Sequence, residues 1–331
     1  MTAPSLTVLL ATRNRAATLE AVLRDYCRLE SPEHGWSMVI VDNGSSDGTR
    51  QVVESFRDRL PITYCFEPTP GKNVALNTGL PLATGDLIVF TDDDIFPRAD
   101  WLVRLCTAAA EHESYAIFGG IIVPRWEVPP PELIREAIPL SMCYAIHAPG
   151  MREGPGDPNR AFGGNVAIRA DVFRVGYRFD PSIGPRPESY AMGSETHLIR
   201  RLANDGMKVW CCADAVVEHL IPRAHLETSW ILKRAERWGR ARARFDLAEN
   251  PRVATWFGIP RWIFRAAAAQ AGSLAGAALL GNAGKLFRAR WELHELRGWA
   301  LETREAKASP AQNGAGARLA EGAGRGETAR R

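Results

Sequence analysis

Three consecutive aspartates, Asp92, Asp93 and Asp94, follow directly on the apolar, β-prone run "LIVFT" at residues 87–91. Like charges packed side by side raise one another's pKa unless something cationic sits among them. The run therefore either splays into water as a solvated turn or holds a metal ion. Asp92 and Asp94 are two apart where a strand gives way to a loop, so both side chains are free to turn to one side. Two carboxylates at that spacing are hard ligands suited to Mg²⁺ or Mn²⁺, whose remaining positions are commonly filled by phosphates and water. Asp93, between them, is left to bond nearby backbone or to face solvent.

The elements that must position these groups are legible in the first half of the chain. Short β-type runs alternate with helical stretches: "LTVLLA" then "RAATLEAVLRDYCRL", "SMVIVD" then "GTRQVVESFRDRL", "ITYCFE" then "GKNVALNTGLPLA", and "DLIVFTD" then "ADWLVRLCTAAAEH". This alternation predicts an α/β fold built of βαβ units, with a mostly parallel sheet and helices on both faces. In such sheets ligands sit outside the carboxyl ends of the strands. The unusual polar clusters all fall there: "TRNR" after the first strand, "DNGSSDG" after the second, "DDD" after the fourth.

With 331 residues, 46% of them hydrophobic, the chain can bury one large or two modest cores. Its 41 basic and 38 acidic side chains leave a formal charge of +3, so no global basic field argues for nucleic acid as a partner. Cysteines 27, 65, 106, 143, 211 and 212 form no CxxC pair and no zinc spacing, which predicts free thiols in a reducing cytoplasm. The N-terminal apolar run lacks a positive n-region and reads as a first strand rather than a signal peptide.

Read in order, the motifs "TVLLATRNRAATL", "VIVDNGSSDGT", "GKNVALNTGLPLATGDLIVFTDDD", "FGGNVAIRADVFRVGYRFDP", "GSETHLIRRL" and "AVVEH" resemble a family 2 glycosyltransferase of the A-type (GT-A, Rossmann-like) nucleotide-sugar fold. Their order over residues 5–240 is more specific than any one of them. The resemblance implies nucleotide contacts from Thr12, Arg13 and Asp42, diphosphate contact from Lys72, and donor contacts from Asn77, Asp92, Asp93, Gly164 and Asn165. It implies a metal site of Asp92, Asp94 and His219, and a catalytic base at Glu195. The physical case runs alongside. A carboxylate such as Asp42 can accept from the N–H of a uracil-like base, and an arginine can reach phosphate. Gly163 and Gly164 permit close backbone approach, and Asn165 can bond a sugar hydroxyl. An imidazole among carboxylates makes Mn²⁺ at least as suitable as Mg²⁺.

The family usually reads Gly-Glu-Asp where this chain reads "GSETHL", which leaves Asp180, Glu188 and His197 as reserves for the base. Each motif also has a plainer reading. "DNGSSDG" serves as a helix cap through Asp47 or Ser46. Lys72 alone would be a solvated lysine, and its segment lacks the GxxxxGK[ST] of a P-loop. Glu195 suits a helix N-terminus, and a histidine at a strand end is often structural.

The activity implied is inverting, metal-dependent transfer of a sugar from a nucleotide donor, UDP-linked by preference, to a hydroxyl of a lipid-linked or polysaccharide acceptor for a cell-envelope glycan. A sugar-nucleotide pyrophosphorylase would open on a glycine-rich "GxGTR", where this chain has "LLATRNR". A non-catalytic nucleotide-sugar-binding subunit is the alternative that "GSETH" leaves open. The predicted organisation is a catalytic domain over residues 1–240 (nucleotide half 1–123, acceptor half 124–240), helices over 241–305, and a disordered tail over 306–331. Ala266 to Gly284 carries no charge but is alanine- and glycine-rich, too weakly apolar for a confident span. With Trp256, Trp262, Phe264 and Trp291 beside Arg261, Arg265, Lys285 and Arg288, it matches an interfacial helical hairpin at the inner face of a membrane. Arg240 in "RWGR" stands between two roles, at the diphosphate or at an anionic surface.

Overall fold

The computed structural model describes residues 3–185, 192–249 and 253–308. The chain divides into two compact units, one ending at Arg234 and the other starting at Ala235. The break falls inside the helix that carries the residue-240 boundary expected from sequence. Glu188 and the end of the tail, residues 309–331, lie outside the described residues.

The first unit opens with the predicted alternation: β1 (Leu6–Thr12), α1 (Ala16–Tyr26), β2 (Trp36–Asp42), α2 (Thr49–Ser55), β3 (Ile62–Phe66), α3 (Lys72–Gly79), β4 (Leu87–Thr91), β5 (Ile95–Pro97) and α4 (Trp101–Glu111). It continues with β6 (Ile117–Trp126), α5 (Glu132–Ala137), α6 (Leu140–Tyr144), β7 (Gly154–Pro155), β8 (Val166–Arg169), α7 (Ala170–Arg174), α8 (Ser194–Asn204) and β9 (Val209–Ile221).

One sheet of nine strands, among the described residues, runs β3-β2-β1-β4-β8-β6-β9-β5, with β7 also on β9. Its β3-β2-β1-β4 half is wholly parallel. Beyond β4 the sheet is mixed: β8 lies antiparallel to both β4 and β6, β6 and β9 are parallel, and β5 returns antiparallel on β9. The expectation of a mostly parallel sheet therefore describes the nucleotide half better than the whole.

Val8–Leu10, Val39–Val41 and Leu87–Phe90 are buried without alternation, because helices cover both faces of the parallel half. On one face Leu9, Val41, Ile88 and Phe90 join Leu76, Phe173, Phe179, Leu198 and Leu202 in a single core, which seats α3 and α8 over the ends of β1 and β4. Helix α1 buries Leu19, Val22, Leu23 and Tyr26, the spacing of one helical face.

The second unit contains the later part of α9 (Thr228–Glu249), a short hairpin of β10 (Thr255–Trp256) and β11 (Ile259–Pro260), and the helices α10 (Arg261–Leu279) and α11 (Ala283–Ala308). Helices α9 and α11 cross at two glycines. A Cβ on Gly239 would lie 1.9 Å from the Glu295 carbonyl, and one on Gly298 would lie 1.9 Å from that of Glu236. Beside the crossing, Glu302 accepts from Arg240 at 3.1 Å and from Arg244 at 2.5 Å, and Arg240 also reaches Glu305. Arg240 is thus a structural tie within the helix pair, which corrects the roles considered for it from sequence.

Candidate active site

Because β1, β2 and β4 are parallel and in register, Thr12, Asp42 and the aspartate run all leave the sheet at one edge. The first two loops are laced together there. Asn14 accepts from the Ser46 N–H at 2.8 Å, and its own N–H donates to Ser45 Oγ at 2.9 Å. Asp47 accepts from the Thr49 N–H at 3.0 Å and from the Ala16 N–H at 3.1 Å and so ties the starts of α2 and α1 together, while the N-cap position of α2 itself is Gly48 rather than Asp47 or Ser46. Asp42 is buried, with one oxygen on the Ser45 N–H at 2.8 Å and the other on the Tyr64 hydroxyl at 2.9 Å. Arg13 is exposed at the same edge.

The three aspartates take three different partners. Asp92 is paired with the Lys72 ammonium, which also lies 2.6 Å from Glu195 Oε1. Asp93 accepts from the Thr12 hydroxyl at 2.6 Å. Asp94 faces His219 Nε2 at 3.6 Å and Arg15 at 3.8 Å. The packed charges are thus resolved by distribution, each carboxylate turned toward a separate donor.

Their electrostatics follow from this arrangement. Burial opposes the charge on Lys72, but the Asp92 and Glu195 carboxylates outweigh it and hold its pKa above the ordinary value. Burial, then the neighbouring Asp94 charge, pushes Asp93 up. Burial also works against ionised Asp94, yet His219, Arg15 and Lys72 hold it below the usual carboxylate range.

His219 reaches the site through tertiary structure alone. Strand β5 returns against β9 so that Ile95 pairs with His219, and the Leu220 N–H donates to the Asp94 carbonyl at 3.0 Å. Its Nδ1 lies 2.7 Å from the Tyr144 carbonyl, an acceptor only, so Nδ1–H donates and Nε2 is left to face Asp94. Burial opposes a charge on His219, but the Asp94 carboxylate outweighs it and holds the His219 pKa above the ordinary value. With Nδ1 kept by a backbone carbonyl, as in metal-ligating histidines, Nε2 is the nitrogen a cation would take in place of its proton. Asp94 and His219 therefore fit a divalent cation as a carboxylate–imidazole pair. The expected set of Asp92, Asp94 and His219 is not gathered: Asp92 is taken by Lys72, and among the described residues no three His, Cys, Asp or Glu side chains form a group able to hold a metal.

Glu195 enters from the first turn of α8, after Gly193 in a left-handed conformation. Its carboxyl lies where a side chain on residue 163 would be: a Cβ at Gly163 would sit 2.1 Å from Glu195 Cδ. The "FGGN" loop thus makes room for Glu195. Its asparagine does something other than expected. Asn165 is 0% exposed, accepts from the Trp101 indole N–H at 2.8 Å and donates to the carbonyls of Ile121 at 3.0 Å and Ala215 at 2.8 Å. Both its N–H donors are spent on backbone, so it locks the sheet rather than reaching a sugar hydroxyl. Gly164 packs against Ile95 and Ile122, and its carbonyl accepts from Thr91 at 3.2 Å.

Asn77 is corrected on the same grounds. Its amide exchanges a pair of hydrogen bonds with the backbone of Phe179, at 2.8 and 3.0 Å, and so clamps that segment instead of a nucleotide. Of the reserve bases, Asp180 accepts from the Ser182 N–H at 2.7 Å in a turn, and His197 stands on α8, two residues beyond Glu195. Sequence reading missed Arg15, the second arginine of "TRNR", which the motif itself offered. It also missed the Tyr144 carbonyl, for which a backbone acceptor 75 residues away gives no signal.

The model of glycosyl transferase family 2 matches residues 7–176. Succinoglycan biosynthesis protein ExoM of Rhizobium meliloti (strain 1021) is 27% identical over 278 residues, covering 80% of this chain and 82% of its own. Among solved structures, mannosyltransferase PcManGT from Pyrobaculum calidifontis, in complex with GDP-Man and Mn²⁺, aligns over 92% of this chain and 88% of its own at a TM-score of 0.63 and 22% identity. S. aureus TarS 1-349 in complex with UDP-GlcNAc aligns over 92% of both chains at a TM-score of 0.54 and 14% identity.

Proposed function

Since the chain belongs to glycosyl transferase family 2 and is a glycosyltransferase of GT-A fold, we propose that it is an inverting, divalent-metal-dependent enzyme. It moves a sugar from a nucleoside diphosphate donor to a hydroxyl of a lipid-linked or polysaccharide acceptor in envelope-glycan synthesis. The observation that carries this reading is the convergence of Lys72, the three aspartates, Glu195 and His219 at the carboxyl edge of the parallel strands. Relatives in glycan synthesis support the acceptor class: ExoM is named for succinoglycan biosynthesis. Neighbours solved with GDP-Man and UDP-GlcNAc support a nucleotide-sugar donor, and UDP-linked sugars are the first to assay. Six cysteines, none bridged, support a reducing, cytoplasmic setting.

Breaking the bond between the anomeric carbon and the diphosphate leaves negative charge on the departing oxygen. A cation held by Asp94 and His219 would supply Lewis-acid stabilisation of that charge. Lys72 adds a positive charge in a half-buried place, where electrostatic stabilisation is stronger than in open water. Glu195 takes the proton of the incoming hydroxyl. Its ion pair with Lys72, at 2.6 Å, keeps the carboxylate oriented. A single carboxylate acting as base in a direct displacement would invert the anomeric carbon.

The test is hydrolysis and transfer by the purified protein over a panel of UDP- and GDP-sugars, with Mn²⁺ or Mg²⁺ and without either, repeated for Glu195→Gln. Turnover is expected to need metal and to fall by orders of magnitude in the variant while donor binding persists. Unchanged turnover in Glu195→Gln would overturn the base assignment. Product anomeric configuration, read by NMR, tests inversion directly.

A further inference from the structure

The second unit carries a surface that glycosyl transfer does not explain. Phe257, at the tip of the β10–β11 hairpin, is 93% exposed, and Trp256 beside it is 52% exposed. Leu279 and Leu280, at the far end of α10, are 88% and 80% exposed. Along the outward face between them, Phe264, Ala268, Gly272 and Ala275 follow at spacings of three and four, all exposed. Nineteen residues at 1.5 Å each make this face about 28 Å long. Trp262 and Trp291, grouped with these aromatics on sequence grounds, turn inward instead: Trp291 is buried, and Trp262 packs edge-on against Trp299.

The backbone at the tip adds an independent sign. Phe257 has φ 51° and Gly258 φ 78°, the two positive dihedrals of a tight hairpin turn in which Asn-Gly is the favoured pair. A bulky residue rarely adopts that conformation. Here a phenylalanine is held in a strained backbone, fully in water, with nothing inside the unit against which it packs. Such strain at an exposed apolar residue points to a partner outside the chain.

Charge identifies the partner. From Val253 to Trp291 the sequence contains no aspartate or glutamate, while Arg261, Arg265, Lys285, Arg288 and Arg290 are all exposed. The Arg261 guanidinium lies 5.3 Å from the centre of the Trp256 ring, at the foot of the tip. A second copy of this face would bring cations against cations with no acid to pair them. An anionic lipid surface meets both demands, since apolar side chains enter the acyl boundary while arginine and lysine remain among the headgroups. Among the described residues no helix is long and apolar enough to cross a membrane. We propose that the hairpin tip and the outward face of α10 form a docking surface for anionic membranes, with Phe257, Leu279 and Leu280 as its apolar anchors.

The test is co-sedimentation of the full chain with vesicles of phosphatidylcholine alone and of phosphatidylcholine mixed with phosphatidylglycerol. Partition is expected to be at least about tenfold stronger on the anionic vesicles, the effect of two or more basic side chains near a charged surface. The exposed triple variant Phe257→Ser, Leu279→Ser, Leu280→Ser should lose about tenfold or more of that binding with an unchanged circular dichroism spectrum. Arg265→Gln with Lys285→Gln and Arg288→Gln, which leaves Arg261 and Arg290, should reduce the preference for anionic lipid by about tenfold or more. Equal partition on both vesicles, no partition at all, or wild-type binding by the serine variant would each overturn the proposal. So would a dimer in sedimentation velocity that the serine variant dissolves, which would make the face a contact between copies.

Discussion

Replacing Gly163 by alanine tests the site at its narrowest point. The added Cβ would lie 2.1 Å from Cδ and 2.5 Å from Cγ of Glu195. Carbon atoms in contact stand about 3.5 Å apart, so the carboxyl must retreat by roughly 1.4 Å. Rotating only the tip does not suffice, because the Cγ is also too close and the carboxylate is held at 2.6 Å by Lys72. A misplacement of about 1 Å at a reacting group costs on the order of a hundredfold in rate, equivalent to about 2.7 kcal/mol of barrier. The adjacent glycine supplies the control. A Cβ on Gly164 would meet Ile95 at 3.1 and 3.3 Å, which a shift of a few tenths of an ångström relieves. Gly163→Ala is therefore expected to lose about a hundredfold in kcat with little change in donor KM, and Gly164→Ala only a few-fold. Steady-state transfer assays with thermal unfolding as the check on folding give both numbers. A folded Gly163→Ala enzyme with near wild-type kcat would refute the view that Glu195 works from the place it occupies here. Equal losses in the two variants would attribute the effect to the loop as a whole.

Asp94→Asn and His219→Gln should each raise the Mn²⁺ concentration needed for half-maximal turnover and lower the plateau by about a hundredfold or more, the scale of lost Lewis-acid assistance. Isothermal titration of Mn²⁺ in the presence of nucleoside diphosphate measures the binding part separately, and unchanged titration in both variants would dismiss the pair as ligands. Asn165→Ala strands the Trp101 N–H and two carbonyls in a fully buried place, at about 1–3 kcal/mol each. Taking the low end of that range for the three groups, about 3 kcal/mol in all, Tm should fall by roughly 6–12 °C while donor KM stays unchanged; a raised KM with an unchanged Tm would restore the sugar-binding role read from sequence. His147 accepts from the Ile122 N–H at 2.9 Å and has its other nitrogen 2.8 Å from the Arg160 carbonyl, so it is held neutral, and burial lowers its pKa. Its contribution to stability is complete above the unfolded histidine pKa of about 6.5 and is lost as pH falls below it. Urea midpoints between pH 7.5 and 5 should therefore drop more steeply for the wild type than for His147→Gln, and parallel curves would remove His147 from the account.

The nucleotide half was legible in the chain because its signals are local. Continuous apolar strands, one-faced helices and polar clusters at strand ends fix β1 to β4 and their helices, and with them the edge where Thr12, Asp42 and Asp92–Asp94 emerge. Motif order was enough to name the family. Residue roles were less secure wherever a residue type admits two uses. Asn77 and Asn165 have the right chemistry for a ligand, but an asparagine amide serves a backbone equally well, and only burial with filled donors separates the two. Non-local meetings were decided by tertiary structure alone. The antiparallel return of β5 on β9 brings His219 to Asp94, the packing of α3 and α8 over the sheet sets Lys72 between Asp92 and Glu195, and Gly163 is needed only because Glu195 arrives from a helix 32 positions later. In the second unit, composition marked a basic, acid-free, weakly apolar stretch, but it could not say which aromatics face outward. That depended on how α10 packs against α11, because a helix shows water only the side that its neighbour leaves uncovered.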